Sequence, residues 1–421
     1  MTSAAELPAT ADAVVVGGGT IGAWTAWFLR TSGLDDVVLL EADRLGMGAS
    51  SRAAGMVRAQ GGTEVAVRLG LYSRDFYRRQ HDVLGIDSGF VAQGYFMPCF
   101  TAEEVPQARD RIAMQQALGL EVTWVGPDEV DAMNPAMAPG QTLGASYAPG
   151  DGYLDPPCNV LAYTAALFTS GVRVCERTAF TGLEVSGDGV VAVTTSAGRI
   201  ATQRVVLTGG PTLAAVGQAA GVRIPSGGVR HQVVATAPHP LLAADRLPMV
   251  FDVASGIYWR PSGDGGLLWG MSNPDEAPGE ARDFDWDYYE VMRQRVAKLL
   301  PVTGDLGLRK AWAATIDFTP DHLPILGPAL GPDGPIGGTT VAAAGGHGMM
   351  WGPGVARVAA DLALLGHTDL VDVTDLGLDR FDEQGRSRLS ADPIALPFPT
   401  DIGGAGVTHR SPSDTDVGQG W

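Results

Sequence analysis

The sequence predicts an α/β fold of two lobes, a Rossmann-like lobe that holds a dinucleotide and a second lobe of mainly antiparallel β-sheet. Three observations carry this. Val14-Val15-Val16, an apolar β-branched run, leads straight into Gly17, Gly19 and Gly22 in G-x-G-x-x-G spacing. Strand-like runs at Val229–Thr236, Met249–Val253, Gly256–Arg260 and Gly266–Trp269 are separated by Pro, Gly and Asp, the pattern of an antiparallel sheet. A second glycine-rich turn from strand to helix, AGGHGMMWGPG, begins at Ala344.

Each position of the first motif has a mechanical reason. Gly17 permits the tight turn out of the strand, Gly19 lets the backbone approach a pyrophosphate, and Gly22 lets the following helix pack on the sheet. Ile21, Trp24, Thr25, Phe28 and Leu29 fall at helical spacing, Gly33 is placed to stop that helix, and Val37–Leu40 gives a second buried strand. The helix N-terminus supplies free N–H groups and partial positive charge for phosphates. Glu41, nineteen residues after Gly22, accepts from two ribose hydroxyls and repels a 2′-phosphate, so FAD or NAD is expected and NADP is not. The motif leaves FAD and NAD both open. In the loop that follows, Ser50 and Ser51 can donate to phosphate and Arg52 can neutralise it.

Further along, helices are expected over Thr63–Leu84, Ala102–Ala117 and Leu161–Thr169, with strands at Phe90–Phe100 and Val172–Val174. Gly182–Gly210 reads as a three-stranded meander whose last strand, Val205–Leu207, returns to the first sheet and ends at Gly209-Gly210. Asp285–Leu299 is an amphipathic helix with Trp286, Tyr289, Val291, Met292, Val296 and Leu299 as its buried face. Thr339–Ala344 is a strand of small residues, and a helix runs from about Pro353 to Leu365. Asp321 is expected to cap a turn, with His322 beside it in solvent. From Arg388 to Trp421 the chain has Pro, Ser, Gly and Asp without periodicity, which predicts a mostly disordered tail.

Composition narrows the classes. The 421 residues are 45% hydrophobic and 18% charged, enough for a large core. A net charge of −18 makes a nucleic-acid backbone an unfavourable partner. Cys99, Cys158 and Cys175 fit no zinc or C-x-x-C pattern, no metal is expected, and sparse cysteine points to a reducing compartment, the cytoplasm. The apolar N-terminal stretch lacks a basic region and is the nucleotide fingerprint itself, so it is not read as a signal. His347, Arg357 and Asp361 interrupt the apolar run Val341–Leu365, so no membrane span is expected.

Three motifs in order resemble the D-amino-acid-oxidase-like FAD oxidoreductases: VVVGGGTIGAWTAWFLR…VVLLEAD, TPDHLPILGP at Thr319–Pro328, and AGGHGMMWGPGVARVAADL at Ala344–Leu362. Within that family GASSRAAGMVRAQGG and IYWRP are most similar to the sarcosine and dimethylglycine oxidase or dehydrogenase branch. The resemblance implies an FAD-binding, glutathione-reductase-type lobe over residues 12–85, 145–228 and 305–383, and a substrate lobe over 86–144 and 229–304. It places Gly17, Gly19, Gly22 and Glu41 on the ADP part, and Ser50, Ser51 and Arg52 on the pyrophosphate and flavin. Gly210 closes the second FAD-contacting strand, and Gly346, His347, Gly348 and Met349 lie along the isoalloxazine. Some relatives tether FAD through a histidine where Arg52 stands, others through a cysteine where Ala314 aligns. Neither nucleophile is present, so the FAD is expected to be non-covalent.

For the chemistry, His231 and Tyr258 match the His and Tyr lining the substrate side in dimethylglycine oxidase-like enzymes. The resemblance then implies a neutral amine over the flavin, hydride transfer to N5 and release of an imine, with His231 accepting or steering the amine proton. A lysine that assists oxygen reduction in monomeric sarcosine oxidases is replaced by Leu268, and a carboxylate-binding lysine by Met350. Arg58 is therefore the expected cation for a substrate carboxylate, with Arg260 second. Trp259, Trp269 and Trp351 are either an aromatic wall or core. The substrate is expected to be a small secondary or tertiary amine or N-methyl amino acid, and the electron acceptor O2 or another oxidant. Two alternatives stand beside this reading: an FAD-binding subunit of a hetero-oligomeric amine oxidase that is inactive alone, and an NAD-dependent dehydrogenase. The sequence leaves the oligomeric state open.

Overall fold

Buried β-branched runs pair with one another as their apolar pattern requires. In the computed structural model, which describes residues 7–242 and 247–397, two large sheets form. The first has six strands in the order Ile325–Gly327, Thr339–Ala343, Val205–Leu207, Ala13–Val16, Val37–Leu40 and Arg173–Cys175. All neighbours are parallel except the first pair. Every residue of Ala13–Val16 and Val37–Leu40 is buried, because helices cover one face and a smaller sheet covers the other. On the helical face Thr20–Thr31 packs between Gly352–Leu365 and Pro156–Ser170. There Trp24 meets Phe76 edge-on at 4.9 Å and Tyr163 at 6.1 Å, the geometry that aromatic quadrupoles favour.

The second sheet has eight strands: Leu308–Phe318, Gly227–Thr236, Leu267–Met271, Ile257–Pro261, Met249–Phe251, Tyr95–Cys99, Gly144–Ala148 and Thr123–Val125. It is antiparallel except where Met249–Phe251 meets Tyr95–Cys99. Leu308–Phe318 and Gly144–Ala148 lie in this sheet, although the sequence reading puts residues 308–318 and 145–148 with the nucleotide lobe. The cause is strand Gly227–Thr236, which pairs with Leu308–Phe318 along its whole length and draws it away from the parallel sheet.

Several elements depart from their expected form. The meander is built from Phe180–Ser186, Gly189–Thr195 and Gly198–Ala201. Val205–Leu207 is a separate fourth strand that pairs with Val14-Val15-Val16 in the parallel sheet. In helix Trp286–Leu299, Met292, Val296 and Leu299 are buried, whereas Trp286 is 59% and Val291 40% exposed, since only one narrow face meets the sheet. Residues 388–397 are not a loose tail: Asp392 and Ile394 are buried, and Ile394 joins a cluster with Tyr95, Val233, Phe251 and Tyr258. The remainder of that expected tail, 398–421, lies outside the described residues. No helix among the described residues is long and apolar enough to cross a membrane.

Asp321 caps its turn as expected, accepting from Leu323 N–H at 3.2 Å, whereas His322 is not in solvent. Both are buried, His322 with φ +57°. Asp321 accepts from Arg380 Nε at 2.8 Å and Nη2 at 3.0 Å, a two-pronged pair buried on both sides. The remaining Arg380 donors reach the carbonyls of Leu376 at 2.7 Å and Leu323 at 3.2 Å, so the pair is nearly saturated. Removing one partner leaves a buried charge without its mate, which typically costs ~3–5 kcal/mol. Arg380→Met is therefore expected to lower unfolding stability by roughly that amount, measured by urea titration of intrinsic fluorescence. A loss within experimental error would show that the turn holds itself without the pair.

Candidate active site

The site begins where strand Ala13–Val16 turns into helix Thr20–Thr31. Gly17 has φ +101°, a region glycine enters freely, and donates to Leu40 O at 2.8 Å. A Cβ on Gly22 would overlap the Gly17 carbonyl oxygen and come within 2.7 Å of Thr208 Oγ1. Thr208 in turn donates from Oγ1 to Val16 O at 2.5 Å, tying the end of Val205–Leu207 to the same turn. Glu41 accepts from Gly18 N–H at 2.7 Å through Oε2 and from Asp43 N–H at 2.8 Å through Oε1. The carboxylate is thus fixed beside the glycine turn, with lone pairs left over for hydroxyl donors. Ser50 Oγ accepts from Thr20 N–H at 2.9 Å, which places it at the helix N-terminus.

A single cavity of about 460 Å³ extends from this turn to the eight-stranded sheet. It is lined by Gly17, Gly19, Gly22, Glu41, Ser50, Arg52, Gly210, Gly346, His347, Gly348, Met349, His231, Tyr258 and Arg58. Ser51 is absent from that lining; its N–H turns back to Gly46 O at 3.2 Å. Ala314 and Met350 also line the cavity, while Leu268 packs in the apolar cluster behind Tyr258.

The second glycine turn rests on the turn that Arg380 holds. Gly345 and Gly346 have φ +59° and +97°, and a Cβ on Gly345 would meet Thr319 Oγ1 at 2.7 Å and Leu323 O at 2.9 Å. Tyr77 Oη donates to Met349 O at 2.8 Å and Asn159 Nδ2 to its sulfur at 3.4 Å. His347 stacks on Trp351 with ring centroids 3.9 Å apart. Burial, and then the charges of Arg58 and His322, hold His347 well below the ordinary imidazole value, so the ring is neutral.

At the sheet end, His231 Nε2 lies 2.8 Å from Tyr258 Oη, and the rings are nearly parallel. Tyr258 faces Gly270 on the next strand, where a Cβ would come within 2.7 Å of its Cζ; the missing side chain makes room for the ring. His231 faces Ala314. Burial lowers His231 to about 4, and it raises the Tyr258 hydroxyl, so both are neutral over the physiological range. His231 Nδ1 is buried with no partner among the described residues.

Arg58 is 3% exposed. Its guanidinium donates to the carbonyls of Gln60 and, at 3.4 Å, Ile394, and sits 5.3 Å from the centre of the Phe251 ring. None of the ion pairs among the described residues includes it. Arg260, the other expected cation, is tied to Ala54 O at 2.8 Å and lies over Tyr153, outside the cavity lining. Trp259 and Trp269 belong to the core behind the sheet and Trp351 to the helical core, so no tryptophan wall lines the site among the described residues.

Sequence reasoning missed Asp317, Gly270 and Leu396, and took Thr208 only as one of the small residues, with Gly209 and Gly210, that let the backbone approach the nucleotide. Asp317 is buried in the cavity wall, accepts from Gly346 N–H at 3.5 Å, and is pushed up by burial against the opposing pull of the turn's N–H groups. Only the three-dimensional pairing of its strand could reveal it. Thr208 had a signal in its place directly before Gly209-Gly210.

Residues 12–362 match the FAD dependent oxidoreductase (DAO) family. Glycine oxidase of Geobacillus kaustophilus is 31% identical over 75% of this chain and 84% of its own length. Sarcosine dehydrogenase of Mus musculus is 29% identical over 77% of this chain but 36% of its own length. The 4-methylaminobutanoate oxidase (formaldehyde-forming) of Paenarthrobacter nicotinovorans is 29% identical over 92% of this chain and 48% of its length. The chain thus spans about a third to a half of the length of these last two curated relatives. Among solved structures, L-proline dehydrogenase from P. horikoshii superposes with TM-score 0.79 at 26% identity, over 86% of this chain and 96% of that one. The chain belongs to the DAO family of FAD dependent oxidoreductases, and FAD is its cofactor. The glycine turns, the fixed Glu41 carboxylate and the open helix N-terminus are a donor and acceptor set that fits it.

Gly22→Ala is expected to force the helix off the strand, costing about 1–3 kcal/mol as overpacking usually does, and to lower FAD occupancy. The ratio of flavin to protein absorbance after purification reads this directly. Full occupancy with unchanged stability would show that the helix shifts freely.

Proposed function

We propose that this chain oxidises the C–N bond of a secondary or tertiary amine, in particular an N-methyl amino acid, to an imine. The observation that supports this best is a pairing of features in one cavity: the neutral His231–Tyr258 couple, and a buried Arg58 that joins none of the ion pairs among the described residues. Buried Asp392 feels the Arg58 charge but forms no ion pair with it, and a substrate carboxylate would give the guanidinium a direct anionic partner. The matched family and the relatives named for sarcosine, glycine and 4-methylaminobutanoate bear on the same class.

FAD, when bound, supplies the hydride acceptor. Gly17, Gly19, Gly22, Glu41, Ser50, Arg52 and Gly210 would hold its ADP and pyrophosphate end, and Gly346, His347, Gly348 and Met349 its ring. With Ala314 and Arg52 at the positions where relatives tether the ring, the hold is non-covalent. Ser51, being off the cavity wall, is left out of this set.

His231 acts on a neutral amine. With a value of about 4 it is too weak a base to keep a proton taken from an alkylammonium, so its part is to accept a hydrogen bond from the amine N–H, or donate one to the lone pair, and to fix orientation. Tyr258 sets the tautomer through the 2.8 Å bond and, with its hydroxyl raised, stays protonated. Arg58 anchors the carboxylate, and Tyr95, Val233 and Phe251 exclude water around the reacting carbon.

His231→Ala is expected to slow anaerobic flavin bleaching by an N-methyl amino acid roughly 10²-fold, the low end of acid–base effects. The acid limb that belongs to His231 should lie at about pH 4: the neutral form works, so its contribution is lost as pH falls through that value. Stopped-flow reduction across pH checks both, and an unchanged rate would sink the role. Running the assay on the chain alone with an artificial acceptor separates this reading from that of a subunit inactive by itself.

A further inference from the structure

Residues 388–397 have no periodicity, yet they bring Leu396 to the wall of the cavity. Asp392 N–H donates to Asp321 O at 3.1 Å, so this segment starts on the turn that Arg380 holds. Asp392 Oδ1 then accepts from Ile394 N–H at 3.0 Å, and its carbonyl from Ala395 N–H at 3.1 Å, which folds the next residues into a tight turn. That turn fits only because residue 62 is glycine: a Cβ there would meet Pro393 Cδ and Cγ at 2.9 Å. Ile394 is fully buried in the cluster that contains Tyr258, Phe251, Val233 and Tyr95, and its carbonyl accepts from Arg58 Nη2 at 3.4 Å. Leu396, two residues on, is half-buried, lines the cavity and packs against both that cluster and the one formed by Val229 and Phe318.

We infer that residues 392–397 form the specificity wall of the site: Ile394 fixes the direction of Arg58, and Leu396 limits the size of the group the ligand carries beside His231 and Tyr258. This rests on the reading of Arg58 as the carboxylate anchor. The anchor's support and the steric limit are two residues apart on one strap, so the distance between a ligand's carboxylate and its far end is measured by a single short piece of chain. Leu396 packs on the paired strands Gly227–Thr236 and Leu308–Phe318, the first of which presents His231. Apolar length added to a ligand there either finds space or meets the leucine. The ligand class that follows is a small amino acid with a short N-alkyl group, and the bulk tolerated is a property of residue 396.

The test uses equilibrium binding of straight-chain carboxylates, acetate through hexanoate, to the oxidised flavoprotein with its full chain, read by perturbation of the flavin spectrum and by calorimetry. Leu396→Ala and Leu396→Trp are compared with the unaltered chain, and Leu396 is exposed enough that both should retain FAD. Leu396→Ala is expected to improve the affinity for hexanoate relative to acetate on the order of tenfold, the worth of a few buried methylenes. Leu396→Trp is expected to worsen that ratio by a similar factor. Arg58→Met should abolish binding of the whole series. Identical ratios in the three proteins, with binding still lost in Arg58→Met, overturn the strap and leave the anchor standing. Affinities that Arg58→Met does not change overturn the anchor and the strap together.

Discussion

The close approach of Gly22 to the Gly17 carbonyl, with Thr208 wedged beside them, is the constraint on which the rest depends. It sets helix Thr20–Thr31 on the parallel sheet at a distance no side chain permits, and so aims the helix N-terminus at the ends of two strands at once. Thr208 bonds to Val16 O, so the strand Val205–Leu207 is locked to the same corner rather than merely lying next to it. Glu41 is then placed by a short strand, Val37–Leu40, that pairs residue for residue with Ala13–Val16. Two neighbouring strands and a third from far along the chain, Val205–Leu207, thereby share one edge, and that edge is one end of the cavity.

The other end depends on a different kind of interaction. Arg380 and Asp321 hold the turn Thr319–Leu323, and that turn supports Gly345-Gly346 from below and Asp392 from the side. The two lobes meet at Trp312, whose Nε1 donates to Arg52 O at 2.8 Å and so joins the eight-stranded sheet to the loop after Glu41. A buried ion pair contributes little net stability against an apolar substitute of the same shape. Its value here is directional: two charge-assisted bonds in one plane fix the orientation of a turn that three other segments touch.

Legibility in the sequence follows the range of the interactions. Gly17, Gly19, Gly22 and Glu41 are legible because a strand, a turn, a helix and an acid occur within one continuous stretch and each has a local steric reason. The Gly346–Met349 turn is legible for the same cause. His231 and Tyr258 come from a resemblance and Arg58 from the departure at Met350 that leaves it as the remaining cation, and the structure brings all three to the same cavity. Asp321 reads correctly as a turn cap but not as a buried one, and His322 and the strap 388–397 read wrongly, because burial is decided by partners elsewhere in the chain: Arg380 for Asp321, and the cluster around Tyr258 for Ile394. A Pro- and Asp-rich segment reads as solvated unless its partner surface is known. Leu308–Phe318 falls in the other sheet from the one expected because strand composition says nothing about which neighbour a strand takes.

The electrostatics of the substrate end follow from this burial. The walls around Phe251, Val233, Tyr95 and Leu396 leave little water to screen charge, and under those conditions His231 and His347 stay neutral while the Arg58 guanidinium carries the positive charge. A positive charge at the end of the cavity where His231 and Tyr258 are neutral is an orienting field there, since attraction grows as screening falls. On the proposed amine oxidation it would draw in a carboxylate and disfavour an ammonium nearby, so that an amino acid would be better held with its nitrogen deprotonated. That is the form whose lone pair can assist departure of hydride from the neighbouring carbon. On that proposal, the same burial that makes His231 a poor resident base would select the protonation state in which no strong base is needed.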